Sequence, residues 1–458
     1  MRRVAIVGGG ISGLSAAYYL ARQGIGSTLI ERRERLGGVI RTERIQGCVL
    51  EAGPDSFISQ KPWALQLIRE LGLGAGVIGS NDHLRVTYVL KGGKLVPLPD
   101  GLMLMIPTKI LPLVETRLVG WGTKIRMGME WFRRPANGER PDQPVAEFIA
   151  AHYGKEAVDY LAEPLLAGVY GGDPNRLSVE SVLPRFVELE RKYGSLTRGV
   201  LHERRKVAKQ AKGAPLFQTL KGGLGELVEA LVEQTRPAPE VVRGTAEALE
   251  RREGGGYRVR VGGEWIEAVH VVLAAPAYEA GALAGGELGE LLNAVAYSNS
   301  ITISLGYDRA NFRHPLNGFG FLIPKTERRL MMACTWVGTK FSGRVPENKA
   351  VLRCFTGGED AGALALSDDE LIARVREELR EIMGVTETPA FTHIARWPRS
   401  MAQYTVGHAA RVAAIEARVK ELPGLHLAGN AYNGIGVPDC VRMGKEAAER
   451  ISAADERR

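Results

Sequence analysis

The residues whose types and spacing carry the most chemistry lie near the N-terminus. Gly8, Gly10 and Gly13 stand in the run Gly8-Gly9-Gly10-Ile11-Ser12-Gly13. Glu31 follows at about the 20-residue distance expected of an acid that closes a dinucleotide fingerprint. Each residue type has a physical task. Gly8 permits a tight turn, and Gly10 lets a pyrophosphate approach the backbone. Gly13 lets a helix lie close to a strand, and Glu31 accepts hydrogen bonds from ribose hydroxyls. The four cysteines, Cys48, Cys334, Cys354 and Cys440, are far apart and form no CxxC pair. That spacing argues against zinc, iron–sulfur clusters and a disulfide framework, and fits a reducing compartment.

Such glycines work only if flanking elements hold them. Val4–Val7 is a short β-branched run that reads as a strand, Leu14–Ala21 reads as a helix, and Thr28-Leu29-Ile30 reads as a second strand ending on Glu31. Strand, glycine turn, helix, strand and acid are all present, which lifts a weak motif to a specific one. Arg35–Thr42 follows directly and adds a second glycine pair, Gly37-Gly38. Nicotinamide dehydrogenases do not usually need it. The segment resembles the extension in flavin oxidases of the amine-oxidase and porphyrinogen-oxidase superfamily, where this turn covers the FAD pyrophosphate and ribityl chain. The cofactor expected is FAD.

With 458 residues the chain should form two or three domains. Hydrophobic content of 45% and charged content of 24% are those of an ordinary globular protein. Its net charge of +8 suits an anionic substrate or an acidic membrane surface, yet also occurs in proteins with neither role. No basic motif with interleaved aromatics is present, so nucleic acid is not expected as a partner. No signal peptide is expected ahead of the first strand, and the longest uncharged windows, such as 291–307, carry polar residues and are not expected to be membrane spans. The expected location is cytoplasmic, with peripheral contact at the inner face of the cell membrane left open.

Along the chain, Val49–Phe57 reads as a strand ending in a turn, Trp63–Leu71 as a helix, and Arg85–Leu90 with Lys94–Leu98 as a hairpin. From Gly101 to Gly213 the pattern reads as helices broken by proline and glycine, with apolar Met103–Ile106, Ile110–Val114 and Trp131-Phe132 among Lys109, Arg117, Lys124, Arg126, Arg133 and Arg134. Two readings stay open: a solvated basic face, or a monotopic patch on anionic lipid. The run Arg204-Arg205-Lys206, with Lys209 and Lys212, reads as a solvated helix face. Gly223 and Gly225 lack a third glycine and a preceding β-rich strand, so a helix start is expected there rather than a second nucleotide site. Val241-Val242, Tyr257–Val261, Trp265–Val269 and Val271–Leu273 read as strands, followed by a strand-rich block from Ser300 to Phe355 and a helix at Asp368–Met383. At the end come a strand at Leu425–Ala428, a turn at Gly429-Asn430-Ala431 and a helix at Val437–Ile451, whose N–H groups could stabilise negative charge on a reduced ring.

The fold class expected is α/β: a discontinuous Rossmann-like FAD-binding domain (1–82, 213–290 and 391–458), a mixed α+β substrate domain (83–100 and 291–390) and a helical insert (101–212) that could touch a membrane. Gly8–Gly13, Gly37-Gly38, Gly53–Phe57, Leu220–Gly223, Trp397–Tyr404, Gly407-His408 and the closing Leu427–Cys440 together resemble the oxygen-dependent porphyrinogen oxidases, the coproporphyrinogen III and protoporphyrinogen IX oxidases of haem synthesis. The resemblance covers nearly the whole chain. It implies FAD contacts at Gly8, Gly9, Gly10, Ile11, Ser12, Gly13, Glu31, Arg32, Gly37, Gly38, Val39, Gly53, Pro54, Asp55, Ser56, Trp397, Gly429, Ile435, Gly436 and Val437. The adenine contact falls at Ala246, where relatives often carry valine. The resemblance also implies removal of six hydrogens from a porphyrinogen, with molecular oxygen as acceptor and hydrogen peroxide as product. The cofactor carries the hard step, so no catalytic base is assigned.

A multiply anionic tetrapyrrole calls for cations at the pocket mouth. Many protoporphyrinogen oxidases place an arginine where this chain has Thr87. Arg85, two residues earlier, would share its strand face, so Arg85 and Thr87 are the candidate substrate contacts. Thr87–Leu90, Pro97–Pro99 and Ile106–Ile110 look more like the coproporphyrinogen-oxidising branch of Gram-positive bacteria, the first choice here, with protoporphyrinogen IX as the alternative. Two rivals stand beside it: a flavin amine oxidase and a non-catalytic tetrapyrrole-binding protein. Monoamine oxidases hold FAD covalently at Ser-Gly-Gly-Cys-Tyr. Here Cys440 sits in Val-Pro-Asp-Cys-Val, so non-covalent FAD is expected. Other haem-pathway enzymes are candidate partners, and either a monomer or a homodimer fits.

Overall fold

The cofactor half of the protein is organised by a parallel sheet drawn from three distant parts of the chain. In this computed structural model, which describes residues 4–135, 140–207, 215–359 and 361–456, the sheet order is Glu240–Arg243, Ser27–Glu31, Val4–Val7, His270–Leu273 and Leu425–Leu427. Every neighbouring pair is parallel. Val4–Val7 is buried on both faces, as continuous apolar strands of parallel sheets are. The helices Ile11–Arg22 and Val437–Asp455 pack against each other, and a side chain at Gly444 would overlap the Ser12 carbonyl oxygen.

A second, seven-stranded sheet runs Phe391–Gln403, Ala296–Asp308, Lys349–Gly358, Ala333–Trp336, Gly320–Leu322, Thr87–Lys91 and Lys94–Pro97. Its neighbours are antiparallel except Gly320–Leu322 with Thr87–Lys91. Pro398 is tolerated within the strand Phe391–Gln403 because that strand lies at the sheet edge and its register shifts beside the proline. One face of this sheet carries its own apolar core, closed by the helix Asp368–Met383 through Leu371, Val375 and Leu379. That helix starts at a capping box. Ser367 Oγ accepts from the Glu370 N–H at 3.2 Å, and Glu370 Oε2 accepts from the Ser367 N–H at 2.8 Å.

Between Ile110 and Val207 the chain is helical, and its buried residues join the same apolar core as the cofactor sheet. A buried polar node of His152 between two glutamates holds these helices together. His152 Nδ1 lies 3.0 Å from Glu130 Oε1, and its Nε2 lies 3.2 Å from Glu190 Oε1. Ser195 Oγ and the Leu196 N–H donate to the Glu130 carboxylate at 2.8 and 2.6 Å. The outer face is unlike the inner one: Ile110 is 82% exposed, Phe132 78%, Leu111 66%, Trp121 and Met129 65%, and Ile125 60%. Among the described residues, no helix is long and apolar enough to cross a membrane.

Several expected elements differ. The strand expected from Arg85 begins at Thr87, because Asp82–Leu84 forms a 3-10 turn with Arg85 just beyond it, so the two residues do not share a strand face. A strand does precede the second glycine stretch: Phe217–Leu220, paired on both sides and masked in sequence by its polar Gln218 and Thr219. Leu102–Met103 and Ile106–Pro107 form a two-stranded ribbon where helix was expected, with Leu104 at φ 56° in the connecting turn. The run from Val49 to Phe57 divides into Cys48–Glu51 and Phe57–Ile58. Lys209, Lys212 and the boundary at 212–213 lie outside the described residues, as do the side chains of Arg205 and Lys206.

The helical stretch meets the large sheet at Glu163, which is 7% exposed and accepts the Lys325 N–H at 3.2 Å. Burial pushes its carboxyl up to about 7, with the Lys325 interactions opposing and the Asp173 and Asp159 charges assisting. A carboxyl with a raised folded-state pKa binds its proton more tightly folded than unfolded. Its stabilising contribution is therefore full below about pH 4.5 and is lost as pH rises towards 7. Glu163→Gln is expected to flatten the stability–pH curve across that window by up to about 3 kcal/mol. Urea unfolding at several pH values measures this, and an unchanged slope would contradict the assignment.

Candidate active site

The N-terminal glycines build a cradle from backbone alone. Gly8 turns at φ 109°, a conformation side-chain-bearing residues rarely adopt. A side chain at Gly13 would overlap the Gly8 carbonyl oxygen, so the helix Ile11–Arg22 approaches its strand only through a glycine. This helix begins at Gly10 without a side-chain cap, which leaves its first N–H groups free for an anion. An ideal Cβ at Gly10 would meet nothing within 4 Å. That empty space beside uncapped N–H groups fits a pyrophosphate.

Glu31, 8% exposed, anchors the cradle from the second strand. Its Oε2 accepts from the Gly9 N–H at 2.7 Å, and its Oε1 accepts from the Arg33 N–H at 2.8 Å. Each carboxylate oxygen keeps a further lone pair, so these bonds are compatible with the expected contact to ribose hydroxyls. Gly244 donates its N–H to the Glu31 carbonyl at 3.0 Å, which brings Ala246, at the start of the strand Ala246–Arg251, to this end of the crevice. Arg32 pairs with Glu279 at 2.7 Å.

The second glycine pair folds back onto the first. Gly37 donates its N–H to the Gly9 carbonyl at 2.7 Å, and a side chain at Gly38 would press on Gly10. The Arg35 guanidinium fixes this turn by donating to the carbonyls of Leu36, Ile40 and Gly38 at 2.8, 2.6 and 2.6 Å. Val39 is left 39% exposed next to buried Ile40, an apolar surface facing outwards from a rigid turn. A side chain at Gly53 would overlap the Val39 carbonyl oxygen, so the Gly53–Ser56 loop joins the same wall.

The large sheet grips that loop. Trp397 Nε1 and Thr302 Oγ1 both donate to the Ala52 carbonyl, at 2.7 and 2.8 Å. Arg353, 4% exposed, donates to the Gly53 carbonyl. The Asp55 carboxylate accepts from Ser56 Oγ at 2.6 Å and Lys340 Nζ at 2.8 Å, with Arg353 Nη1 3.6 Å away. Burial alone would raise the Asp55 carboxyl, but Lys340 and then Arg353 hold it well below the usual carboxylate range. Its side chain is thus committed to Lys340, at the end of the short helix Val337–Lys340, and to Arg353 on the sheet. Arg344, also buried, donates to Glu51 Oε1 at 3.0 Å and to the Leu220 carbonyl at 2.6 Å.

The C-terminal third closes the opposite side. Tyr404 is stacked on His408 with ring centroids 3.9 Å apart. Its hydroxyl donates to the Asn430 carbonyl at 2.9 Å and accepts from the Gly434 N–H at 2.8 Å. That bridge shapes the turn from Gly429 to Gly436, and Gly436 caps the helix Val437–Asp455. Ile435 is partly buried and Val437 is buried. Burial pushes the Cys440 thiol up to about 12, so it stays protonated and is a poor nucleophile for a flavin. Lys61, Lys340, Arg353 and the role of Tyr404 were not read from sequence. The one local hint is a lone arginine inside the apolar run Val351-Leu352-Arg353-Cys354-Phe355.

A parallel sheet with a glycine turn, an uncapped helix N-terminus and an acid at the end of the second strand defines a dinucleotide-binding fold. Residues 11–452 match the family of flavin-containing amine oxidoreductases. Coproporphyrinogen III oxidase of Bacillus subtilis (strain 168) is 35% identical, over 97% of this chain and 97% of its own length. The Staphylococcus aureus coproporphyrinogen III oxidase is 32% identical, with 99% of both chains covered. Mitochondrial protoporphyrinogen oxidase of Nicotiana tabacum is 26% identical, over 98% of this chain and 94% of its own. A crystal structure from Exiguobacterium sp. 255-15 superposes with a TM-score of 0.88 at 32% identity, with 99% of each chain covered. Putrescine oxidase, at a TM-score of 0.69 and 18% identity, shares the fold alone.

The chain belongs to the flavin-containing amine oxidoreductase family. It is a flavoprotein oxidoreductase with FAD as cofactor, and its resemblance to the porphyrinogen oxidases is borne out along its full length.

Gly10 offers a clean test of the cradle. Its φ of −74° is open to any residue, and its Cβ would project into space that the structure leaves empty. Gly10→Ala is expected to cost the apoprotein no more than about 1 kcal/mol, the usual cost of alanine at a helix N-cap. FAD affinity, followed by fluorescence quenching, should fall at least about tenfold, roughly 1.4 kcal/mol. Undiminished affinity would remove Gly10 from the pyrophosphate site.

Proposed function

We propose that this protein is an oxygen-dependent porphyrinogen oxidase of haem synthesis. It oxidises coproporphyrinogen III to coproporphyrin III, with O2 as acceptor and H2O2 as product. The observation that carries this reading is the end-to-end match to relatives named coproporphyrinogen III oxidase, at 35% and 32% identity, against 26% for the plant protoporphyrinogen oxidase. FAD supplies the two-electron redox chemistry. The chain's own task is to hold a flat, multiply anionic substrate beside the cofactor and exclude water. The large sheet suits that task, because the same strands that would face the substrate also grip the Ala52–Ser56 loop.

FAD is held without a covalent bond, a reading supported by the buried, protonated Cys440. Gly8–Gly13, Glu31, Arg32, Gly37–Val39, Gly53–Ser56, Ala246, Trp397, Gly429 and Ile435–Val437 are the residues proposed to contact it. Arg85, exposed beside the strand that begins at Thr87, and Thr87 itself are the proposed substrate contacts. Side-by-side turnover in air decides the substrate. Fluorescent porphyrin should form faster from coproporphyrinogen III than from protoporphyrinogen IX. The reverse order selects the alternative, and no turnover with either sinks the reading.

A second proposal concerns the outer face of the helical stretch. Ile110, Leu111, Trp121, Ile125, Met129 and Phe132 are all at least 60% exposed, with Arg117 and Arg126 exposed among them. Lys124 Nζ lies 4.7 Å from the Trp121 ring centroid, so cation and apolar surface share one patch. We infer peripheral docking on anionic lipid. The holoprotein should co-sediment with phosphatidylglycerol-containing vesicles and less with pure phosphatidylcholine. Phe132→Glu combined with Trp121→Glu should abolish co-sedimentation without loss of turnover in solution. Equal sedimentation of parent and variant would overturn the docking proposal.

A further inference from the structure

Lys61 and Asp439 are 378 residues apart in sequence, yet Lys61 Nζ donates to both carboxylate oxygens of Asp439, at 2.8 and 2.7 Å. The two partners sit in unequal surroundings: the Asp439 side chain is 4% exposed and the Lys61 side chain 43%. Asp439 is the third residue of the 19-residue helix Val437–Asp455, and its Oδ2 also accepts from the Gly436 N–H at 3.2 Å. The turn is wrapped tightly round this carboxylate, since a side chain at Gly434 would overlap it. Its charge reaches further still. Burial, and after it the Asp439 charge, push the Tyr170 phenol up to about 12.

An acid in the first turn normally suits a helix, because it complements the positive end of the macrodipole. Here the same acid opposes the use to which that end is put. Reduction of a flavin adds negative charge to its ring, and a helix N-terminus directed at the ring favours that charge. A bare, buried carboxylate within the first turn would cancel the benefit. Lys61 restores it by neutralising Asp439 from outside, while leaving the hydrogen bond to Gly436 in place.

We propose that Lys61 is an electrostatic positioning residue that neutralises Asp439, keeps this helix end positive towards the cofactor and so raises the flavin midpoint potential. The inference rests on the reading that Ile435-Gly436-Val437 contacts the flavin. It concerns the potential of the bound cofactor and requires no contact between Lys61 and substrate or reacting atoms.

The test is an anaerobic redox titration of FAD-loaded protein against a reference dye, following the visible flavin absorbance. Lys61→Met should disfavour two-electron reduction about tenfold, a fall of about 30 mV in midpoint potential. Lys61→Arg should keep the parent value, and Lys61→Met combined with Asp439→Asn should restore it. A purely structural role predicts the opposite for the double variant, since it weakens the helix cap further. An unchanged potential in Lys61→Met overturns the proposal, as does a shift that the double variant retains. If Lys61→Met purifies without flavin, the double variant decides. Recovered FAD at the parent potential supports the proposal, and continued loss overturns it. A parent chain that takes up no FAD defeats the cofactor reading along with the inference, whereas a flavin-loaded parent with an indifferent Lys61 defeats the inference alone.

Discussion

Where any other residue would carry a carbon, Gly13 carries hydrogen, and the Gly8 carbonyl oxygen occupies the space. Gly444 repeats the arrangement one layer out, where its helix passes over the Ser12 carbonyl. These contacts set how near the helix Ile11–Arg22 lies to the strand Val4–Val7 and how near the C-terminal helix lies to both. Interiors packed like organic crystals do not absorb an extra methyl group without a shift elsewhere. The position of the uncapped helix end, and therefore of the space beside Gly10, follows from these two glycines.

The cradle has a second support, and it comes from the other half of the molecule. Ala52 and Gly53 offer their carbonyls to Trp397, Thr302 and Arg353, all on strands of the seven-stranded sheet. Asp55 ties the same loop to Lys340 at 2.8 Å. Buried ion pairs of this sort contribute little net stability, because desolvation offsets most of the attraction. Breaking one by removing a single partner is costly, so the arrangement fixes one relative placement of sheet and loop. The wall proposed to face the substrate is thereby mechanically continuous with the wall proposed to face the cofactor.

What could be read from residues alone follows from how local each constraint is. The turn at Gly8–Gly13, the helix at Asp368–Met383 and the closing helix from Val437 all rest on neighbours within a few positions, and the structure places them where periodicity does. Phe217–Leu220 was missed because its β character comes from two partners elsewhere, not from its own residues. Arg85 was placed on a strand that a 3-10 turn cuts short. The pairs Lys340–Asp55, Arg353–Gly53 and Lys61–Asp439 span 285, 300 and 378 residues, and no local pattern announces a partner at that distance. The amphipathic character of the segment from Ile110 to Phe132 was legible, whereas the extent of its outward apolar face was not.

The parallel sheet completes itself in an order with a biological cost. Its central strand Val4–Val7 is made several hundred residues before its edge strand Leu425–Leu427, with the helix Val437–Asp455 later still. During synthesis the crevice therefore stays incomplete, its far wall missing, while several hundred residues emerge. With the proposed cofactor contacts at Ile435–Val437, vitamin loading follows the emergence of the helix Val437–Asp455. A chain stopped before Val437 would lack that helix, and with it Val441, Met443, Ala447, Ala448 and Ile451 of the core against which Ile11–Arg22 packs, so coenzyme seat and core would be lost together.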